Sequence, residues 1–185
     1  MPRSGRVANQ LRVIGGRYRG RRLVFPDAPG LRPTPDRVRE TLFNWLAPRI
    51  EGARCLDLYA GSGALGIEAL SRGARSVVFV EREPAVARAL AANLALLGAA
   101  DAARIETREA LTFLDGPAQP CDVVFLDPPF GLDLLAPTCA RLAAGGRAGG
   151  GEAEEQQQLG QAVTIAGGTA EMACSRLVPD EEIKD

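Results

Sequence analysis

The chain has 185 residues, 46% of them hydrophobic and 24% charged, which is enough for one well-buried core and too little for two ordinary domains. The sequence contains no histidine, so a histidine-based hydrolase and a zinc enzyme are disfavoured, and we expect no metal site. No apolar run approaches the roughly 20 residues that span a bilayer, and the N-terminus lacks the apolar stretch of a secretory signal. We therefore expect a cytoplasmic protein without a membrane partner, and we take a monomer as the starting expectation.

Positive charge is concentrated at the N-terminus, although the net charge of the whole chain is only −1. Residues 1–40 hold ten arginines and three acidic residues, a net charge of +7, and the rest of the chain carries −8. Binding to a nucleic-acid backbone requires such a segment, because each neutralised phosphate releases condensed counterions. We predict that residues 1–33 form a basic RNA-binding arm; a solvated basic tail is the alternative.

The segment LRVIGGRYRGRRLVF, residues 11–25, places apolar residues at both ends of an arginine-rich middle that is broken by glycine. This pattern predicts two short strands around a turn, a basic β-hairpin. Several arginines can project from one hairpin of this size toward the same RNA. The candidate RNA contacts are Arg12, Arg17, Arg19, Arg21 and Arg22.

A helix is predicted to follow, in TPDRVRETLFNWL. Thr34 precedes Pro35, which predicts Thr34 as the N-cap and proline at the first helical position. The apolar residues of this segment recur at helical spacing and predict its buried stripe. They are Val38, Leu42, Trp45 and Leu46. Arg37 would then face solvent or a ligand, which adds it to the candidate RNA contacts.

From residue 54 onwards, short apolar runs alternate with longer alanine- and leucine-rich segments, the pattern of a parallel α/β sheet. The predicted strands are residues 54–59, 76–81, 103–107 and 121–126. The predicted helices are residues 64–71, 84–97 and 110–114. The fold class is therefore α/β: a Rossmann-like, mostly parallel sheet with flanking helices, in a core of residues 34–144 that the basic hairpin precedes.

A glycine-rich turn follows the first predicted strand of this core. Gly61 and Gly63 leave backbone N–H groups and a helix N-terminus open to a ligand, because no Cβ blocks a close approach. Glu81 lies twenty positions after Gly61, where an acid that binds ribose hydroxyls belongs. The loop by itself is compatible with a dinucleotide or with S-adenosylmethionine, and a plain tight turn is the structural alternative.

Acidic residues at the strand ends help to distinguish the two cofactors. Asp57 lies four residues before Gly61, where it would repel a pyrophosphate but can accept hydrogen bonds from a methionine ammonium. This placement favours S-adenosylmethionine. Glu109 follows the third predicted strand, from which it would contact the adenine amino group, although a surface acid at a helix start would have the same pattern.

The fourth predicted strand ends at Asp127-Pro128-Pro129-Phe130, and ligands of open α/β sheets bind outside the carboxyl ends of the strands. The exocyclic amine of a base is a poor nucleophile because its lone pair is delocalised into the ring. A carboxylate and a backbone carbonyl that accept its two hydrogens can localise that lone pair, and we assign these roles to Asp127 and Pro128. Phe130 is then expected to stack on the base. A simple loop terminator is the alternative.

Five segments resemble the bacterial small-subunit ribosomal RNA guanine-N2 methyltransferases. They are LRVIGGRYRGRRL, GLRPTPDRVRETLFNWLAP, CLDLYAGSGALGIEALSRGA, VFVERE and VVFLDPPF, all within residues 11–142. The resemblance implies a Rossmann-like enzyme that transfers a methyl group from S-adenosylmethionine to a guanine N2 of 16S ribosomal RNA, in the small subunit or its assembly intermediate. It also implies that residues 127–130 hold the target base. The cofactor site that it implies comprises Asp57, Gly61, Gly63, Glu81 and Glu109.

The last quarter of the chain departs from that family. Residues 145–185 begin GGRAGGGEAEEQQQLGQ, a stretch with hardly any apolar periodicity. We expect a poorly ordered tail with at most one short strand near residues 162–166, and hence an incomplete set of C-terminal strands. Two other functions stay open: a DNA adenine-N6 or cytosine-N4 methyltransferase, which the N-terminal family segments disfavour, and a catalytically impaired RNA-binding module.

Overall fold

The computed structural model describes residues 9–28, 31, 34–129, 133–144, 161–165 and 171–175, the last two segments as backbone only. Its strands are β1 Asn9–Arg12, β2 Arg22–Phe25, β3 Arg54–Asp57, β4 Ser76–Val80, β5 Ala103–Glu106, β6 Val123–Leu126, β7 Gln161–Ile165 and β8 Glu171–Ser175. Its helices are α1 Asp36–Ile50, α2 Ala64–Ser71, α3 Pro84–Leu96, α4 Ala110–Leu114 and α5 Leu135–Ala144. None of these described helices is long and apolar enough to cross a membrane.

Six strands form one sheet in the order β5-β4-β3-β6-β7-β8. The four strands β3, β4, β5 and β6 are parallel, and β7 and β8 are antiparallel to their neighbours. The chain moves from β3 outward to β4 and β5 and then returns to place β6 on the other side of β3. This reversal is a topological switch point, where open α/β sheets bind ligands. The predicted Rossmann-like α/β fold is confirmed.

The sheet is covered on both faces, so β6 is apolar throughout and β3 is apolar between its charged end residues. Cys55 and Phe125 point toward the layer formed by α1, α2, α3 and the hairpin. Leu56 and Val124 point toward the opposite layer, which α4 and α5 cover. All four residues of β6 are fully buried. The strand that ends at the candidate base site is therefore held rigidly in the centre of the protein.

The predicted N-terminal hairpin is confirmed. β1 and β2 pair antiparallel, with Leu11 opposite Leu23, and a short 3-10 turn at Gly16–Tyr18 connects them. Leu11 and Leu23 are buried against the main body. The second strand of the hairpin also contacts α3, because the side-chain amide of Asn93 donates a hydrogen bond to the carbonyl of Val24 at 2.9 Å. The hairpin is thus packed onto the helical layer.

Two predictions for α1 are wrong. The helix begins at Asp36 with Pro35 in the N-cap position, so Thr34 is not its N-cap. Trp45 is 59% exposed and does not belong to the core. Leu42 and Leu46 of the predicted stripe are confirmed and Val38 is partly buried, and the full buried set is Arg39, Leu42, Phe43, Leu46 and Ile50. Because this buried set contains an arginine, a pattern based on apolar residues alone misplaces the buried face.

The C-terminal region contributes two strands, so the expectation of at most one is wrong. β7 agrees with the strand expected near residues 162–166, and β8 continues the sheet beyond it. The backbone of β7 pairs with all four residues of β6, which would otherwise present unpaired N–H and C=O groups at a sheet edge. The remaining residues of the segment 145–185, for which we predicted poor order, lie outside the described part of the chain.

Candidate active site

Two neighbouring strands deliver the candidate cofactor loop and the candidate base-binding motif to one edge of the sheet. β3 and β6 are parallel, with Asp57 opposite Phe125, and the N–H of Leu58 donates to the Phe125 carbonyl at 3.2 Å. The residues that follow each strand must therefore emerge side by side. Gly61 follows β3, and Asp127 follows β6.

Asp57 is buried below the glycine loop, with 1% of its surface exposed. Its carboxylate accepts a hydrogen bond from the N–H of Gly66 at 3.0 Å, which ties the end of β3 to the first turns of α2. Burial raises the pKa of Asp57 to about 7, and the negative charges of Asp127 and Glu81 act in the same direction. Asp57 therefore supports the loop from beneath and places a titratable negative charge there.

The loop needs glycine at two positions because its backbone is left-handed. Gly61 has φ +52° and Gly63 has φ +79°, conformations that other residues rarely adopt. A Cβ on Gly61 would also lie 2.7 Å from Cδ1 of Leu31, which belongs to the linker between the hairpin and α1. Since α2 begins at Ala64, the loop ends at a helix N-terminus, where backbone N–H groups can meet a ligand.

Glu81 connects β4 to the same loop. One carboxylate oxygen accepts from the N–H of Gly61 at 2.8 Å, and the other accepts from the N–H of Glu83 at 2.8 Å. The sequence prediction that Glu81 and the glycine loop act together is consistent with this contact. A carboxylate offers about four lone-pair sites, so Glu81 retains capacity to accept from further donors.

Glu109 lies just beyond the carboxyl end of β5, the outermost strand of this edge. It occupies the N-cap position of α4 without capping the helix through its side chain. The carboxylate is 61% exposed and lies 3.7 Å from a guanidinium nitrogen of Arg82. Glu106, the last residue of β5, is buried and instead forms ion pairs with Arg104 and Arg108. Glu109 is thus the accessible acid at this strand end.

Asp127 contacts a residue that the sequence did not link to the site. The hydroxyl of Thr34 donates a hydrogen bond to Oδ2 of Asp127 at 3.1 Å. Asp127 and Pro128 are both half-buried, so the segment after β6 is partly open to a ligand. Phe130, the predicted stacking residue, lies outside the described residues.

The hairpin is attached to α2, the helix that carries the glycine loop. Glu68 is fully buried, and its carboxylate accepts from the N–H groups of Ile14 and Gly15 at 2.9 and 2.8 Å. The Ser71 hydroxyl accepts from the N–H of Tyr18 at 2.9 Å. The basic hairpin and the glycine loop are therefore parts of one connected structure.

The arginines predicted to bind RNA all lie on the surface. Arg21 also donates to the carbonyl of Leu96 at 3.3 Å, and the guanidinium of Arg17 lies 5.5 Å from the ring centre of Tyr18. Arg12 forms an ion pair with Asp36 at 3.0 Å. The exposed set comprises Arg12, Arg17, Arg19, Arg21, Arg22 and Arg37.

A buried charged pair escaped the sequence analysis. Arg39 is 1% exposed, and one of its guanidinium nitrogens lies 3.5 Å from a carboxylate oxygen of Glu68. A sequence signal for Glu68 existed, because it is the one acidic residue in the otherwise apolar helix ALGIEALS. Charged residues of this type are rarely buried unless they are paired, and the partner can be found only in the folded structure.

Comparison with known proteins identifies relatives across most of the chain. The profile of a protein family described as conserved hypothetical protein 95 matches residues 11–147. The ribosomal RNA small subunit methyltransferase D of Escherichia coli strain K12 is 55% identical over 131 residues, which are 71% of this chain and 66% of that protein. The protein of the same name from Buchnera aphidicola of Acyrthosiphon pisum is 38% identical over 133 residues, covering 72% of this chain and 70% of that protein.

Solved structures have the same fold. The Escherichia coli protein yhhF superposes with a TM-score of 0.68 at 52% identity, covering 74% of this chain and 75% of that chain. A hypothetical protein of Thermus thermophilus superposes with a TM-score of 0.66 at 36% identity, covering 76% of this chain and 81% of that chain. The chain spans slightly less than two thirds of the length of the Escherichia coli methyltransferase D that it matches.

Proposed function

Because this chain belongs to the family described as conserved hypothetical protein 95, we propose that it transfers a methyl group from S-adenosylmethionine to the exocyclic N2 amine of a guanine in 16S ribosomal RNA. The substrate is the RNA within the small ribosomal subunit or an intermediate of its assembly. The names of the relatives support methyl transfer to small-subunit ribosomal RNA. The strand-end residues of this chain support an amine as the target.

The observation that carries the proposal is the adjacency of two strand ends. The glycine loop follows β3 and Asp127 follows β6, and these two strands are neighbours in the parallel part of the sheet. A cofactor on the loop and a base at Asp127 would share one edge of the sheet. Methyl transfer requires this proximity, because the amine must approach the methyl group directly.

The residues at the loop fit S-adenosylmethionine. The left-handed backbone at Gly61 and Gly63 allows the tight turn that leads into the N-terminus of α2, and a Cβ at either position would collide with Leu31 or Leu90. Glu81 retains lone pairs for ribose hydroxyls, and Glu109 is the exposed acid that would accept from the adenine amino group. The negative charge of Asp57 favours a cationic ligand over a pyrophosphate. When bound, the cofactor supplies an electrophilic methyl group.

Asp127 and Pro128 would prepare the target amine. The carboxylate of Asp127 and the carbonyl of Pro128 would accept hydrogen bonds from the two N–H groups of the amine. These bonds withdraw the nitrogen lone pair from the ring and direct it outward. Once the nitrogen carries the new methyl group and a positive charge, Asp127 is the neighbouring carboxylate that can accept its proton. Phe130 would stack on the base and hold it against rotation.

The basic arm would position the RNA. Arg17, Arg19, Arg21 and Arg22 lie on the outer surface of the hairpin, where phosphates can reach them, and Arg12 and Arg37 extend this basic surface to the start of α1. Phosphate contacts fix the register of a nucleic acid but do not read the base. We therefore assign RNA docking to these arginines and the choice of base to residues 127–130.

The test is methyl transfer by purified protein to small subunits that lack the modification, with the Asp127→Ala variant as the comparison. We expect N2-methylguanosine in the digested RNA of the parent reaction, detected by mass spectrometry. Asp127→Ala should lower the single-turnover rate at least about 100-fold, as removal of a group acting in proton transfer does. Its affinity for S-adenosylmethionine should stay within about twofold of the parent, because the glycine loop follows a different strand. Asp115→Ala removes an exposed carboxylate outside the candidate site and serves as the matched control.

Other results would support the alternatives. Methylated adenine or cytosine in DNA, with unmodified subunits, would identify a DNA methyltransferase. Cofactor and RNA binding without methyl transfer would identify an impaired RNA-binding module. An Asp127→Ala variant with parental activity would remove the motif from the mechanism.

A further inference from the structure

We propose that Thr34 is a positioning residue for the reaction, because its hydroxyl fixes the orientation of the Asp127 carboxylate. This inference rests on the proposed function, since it concerns the same site. Thr34 lies in the linker between the hairpin and α1 and is 5% exposed. Its Oγ1 donates to Oδ2 of Asp127 at 3.1 Å, so a residue of this linker contacts the base-binding motif directly.

The contact is not explained by helix capping. A threonine followed by proline at a helix start normally uses its hydroxyl to cap the helix. Here Pro35, which has no side-chain donor or acceptor, occupies the N-cap position of α1. The Thr34 hydroxyl donates to Asp127 at the end of β6. This hydrogen bond therefore serves the candidate site.

A buried network holds Thr34 in place. Arg39 donates from Nε to the carbonyl of Thr34 at 3.1 Å and from Nη2 to the carbonyl of Arg12 at 2.8 Å. Its Nη1 lies 3.5 Å from Oε2 of Glu68 in α2. Because α2 begins at the glycine loop, the Thr34 hydroxyl is placed relative to the same helix that supports the cofactor loop.

A hydrogen bond from a fixed hydroxyl restricts the orientation of the half-buried carboxylate of Asp127. Asp127 follows the last residue of β6, and the Thr34 hydroxyl holds one oxygen of its carboxylate at 3.1 Å. A hydrogen bond to a carboxylate is charge-assisted and stronger than one between neutral groups. It keeps the acceptor oxygens in one arrangement, and a small misplacement of a group that holds the nucleophile lowers the rate strongly.

The experiment compares Thr34→Val with Thr34→Ser in methyl transfer to undermodified small subunits. Valine keeps the shape of threonine and removes the donor, whereas serine keeps the donor. We expect Thr34→Val to lower the single-turnover rate about tenfold, which corresponds to one hydrogen bond to a charged group. Thr34→Ser should keep a rate within about threefold of the parent. Both variants should stay folded, with melting temperatures no more than about 5 °C below the parent, as expected for the loss of one hydrogen bond, and should keep the parental affinity for S-adenosylmethionine.

Two further measurements distinguish positioning from a structural role. The loss in Thr34→Val should appear in kcat, with the KM for the subunits within about twofold of the parent, because Thr34 orients the carboxylate and does not hold the RNA. In an Asp127→Asn background, Thr34→Val should change the rate less than about twofold, because a residue that acts through Asp127 has no independent effect.

Defined outcomes would overturn the inference. An active parent together with a Thr34→Val variant of parental kcat removes Thr34 from the mechanism and leaves the proposed function intact. Fully additive effects of Thr34→Val and Asp127→Asn would also show that Thr34 does not act through Asp127. A parent that binds S-adenosylmethionine but transfers no methyl group to the subunits overturns the proposed function, and the role of Thr34 with it.

Discussion

Asp57 combines deep burial with a titratable carboxyl group, and this has a consequence for stability. Burial raises its pKa from 3.8 to about 7 in the folded protein. In the unfolded chain the Asp57 carboxyl group loses its proton near pH 3.8, whereas in the folded protein it keeps the proton up to about pH 7. Folding therefore favours the protonated form in this pH range. The contribution of Asp57 to stability is therefore full below pH 3.8 and is lost as the pH rises through about 7.

Cofactor binding should depend on the same titration. If a cationic cofactor requires ionised Asp57, its affinity should rise roughly tenfold between about pH 6 and about pH 8, as a group with a pKa near 7 loses its proton. Calorimetry in buffers of different ionisation enthalpy should detect the proton release. Asp57→Asn should bind more weakly and without this pH dependence. Equal pH dependence in parent and variant would assign the titration to another group.

Gly66 is required for packing rather than for a turn. A Cβ at this position of α2 would lie 2.2 Å from Cε1 of Phe79 in β4. We expect Gly66→Ala to destabilise the protein by about 1–3 kcal/mol, the usual cost of overpacking, even though alanine favours the helix by about 1 kcal/mol. Urea unfolding measures the change. Phe79→Leu in the Gly66→Ala background should recover part of the loss, and purely additive effects of the two substitutions would contradict the packing explanation.

At the scale of elements, the close packing of the hairpin against α2 requires glycine at two neighbouring positions of the segment IGGRYRG. A Cβ on Gly16 would lie 1.9 Å from the carbonyl oxygen of Ser71, and a Cβ on Gly15 would lie 2.7 Å from the guanidinium of Arg72. The backbone of the hairpin turn therefore lies directly against the end of α2. These glycines allow Glu68 to bind two consecutive N–H groups of the hairpin. An RNA bound on the hairpin, as proposed, would therefore be held at a fixed position relative to α2.

The salt dependence of RNA binding tests this role of the hairpin. If its arginines contact phosphates, the logarithm of the association constant should fall with the logarithm of salt concentration by roughly 0.7 to 0.9 per phosphate contact. The variant with alanine at Arg17, Arg19, Arg21 and Arg22 should bind more weakly and with a shallower slope. The matched variant with lysine at the same four positions keeps the charge and should retain most of the slope. An alanine variant with the parental slope would place the phosphate contacts elsewhere.

At the scale of the whole molecule, the sheet has a parallel half that carries the candidate site and an antiparallel extension beside it. β6 is the boundary between the two, since β3 pairs with one of its edges and β7 with the other. The strand that delivers Asp127 is therefore supported on both sides. The C-terminal strands contribute to the site indirectly, by covering an edge of the strand on which it depends.

Truncation should reveal this support. A chain that ends after residue 160 lacks β7 and β8, and we expect it to melt at a lower temperature and to self-associate, because the apolar strand β6 then has an open edge. A chain that ends after residue 178 keeps both strands and serves as the control. Thermal melting and sedimentation velocity measure the two effects. Identical stability and a monomeric state for both chains would show that β7 and β8 do not support the core.

The sequence by itself determined the order of the elements between residues 54 and 126 and the strand ends at which the candidate site residues lie, whereas α5 and β8 were not predicted. Every strand and helix predicted between residues 54 and 126 is present, with bounds that agree to within two residues, because short-range patterns of apolar residues, glycine and proline control these elements. The family resemblance read from residues 11–142 is confirmed by the family match over residues 11–147. Glu81 and the glycine loop were linked from their spacing alone, and their contact follows from the adjacency of β3 and β4.

The tertiary structure decided which side chains serve the fold and which serve the site. Thr34 has a capping pattern in sequence, but its hydroxyl binds Asp127, 93 positions away. Trp45 fits an apolar stripe, yet the buried arginine Arg39 takes the inner face of α1 because Glu68 of another helix compensates its charge. Residues far apart in the chain become partners only when the sheet brings them together, and a buried polar group is stable only with such a partner. Local patterns cannot contain that information, and the pairing of β7 with β6 and of β8 with β7 was missed for the same reason.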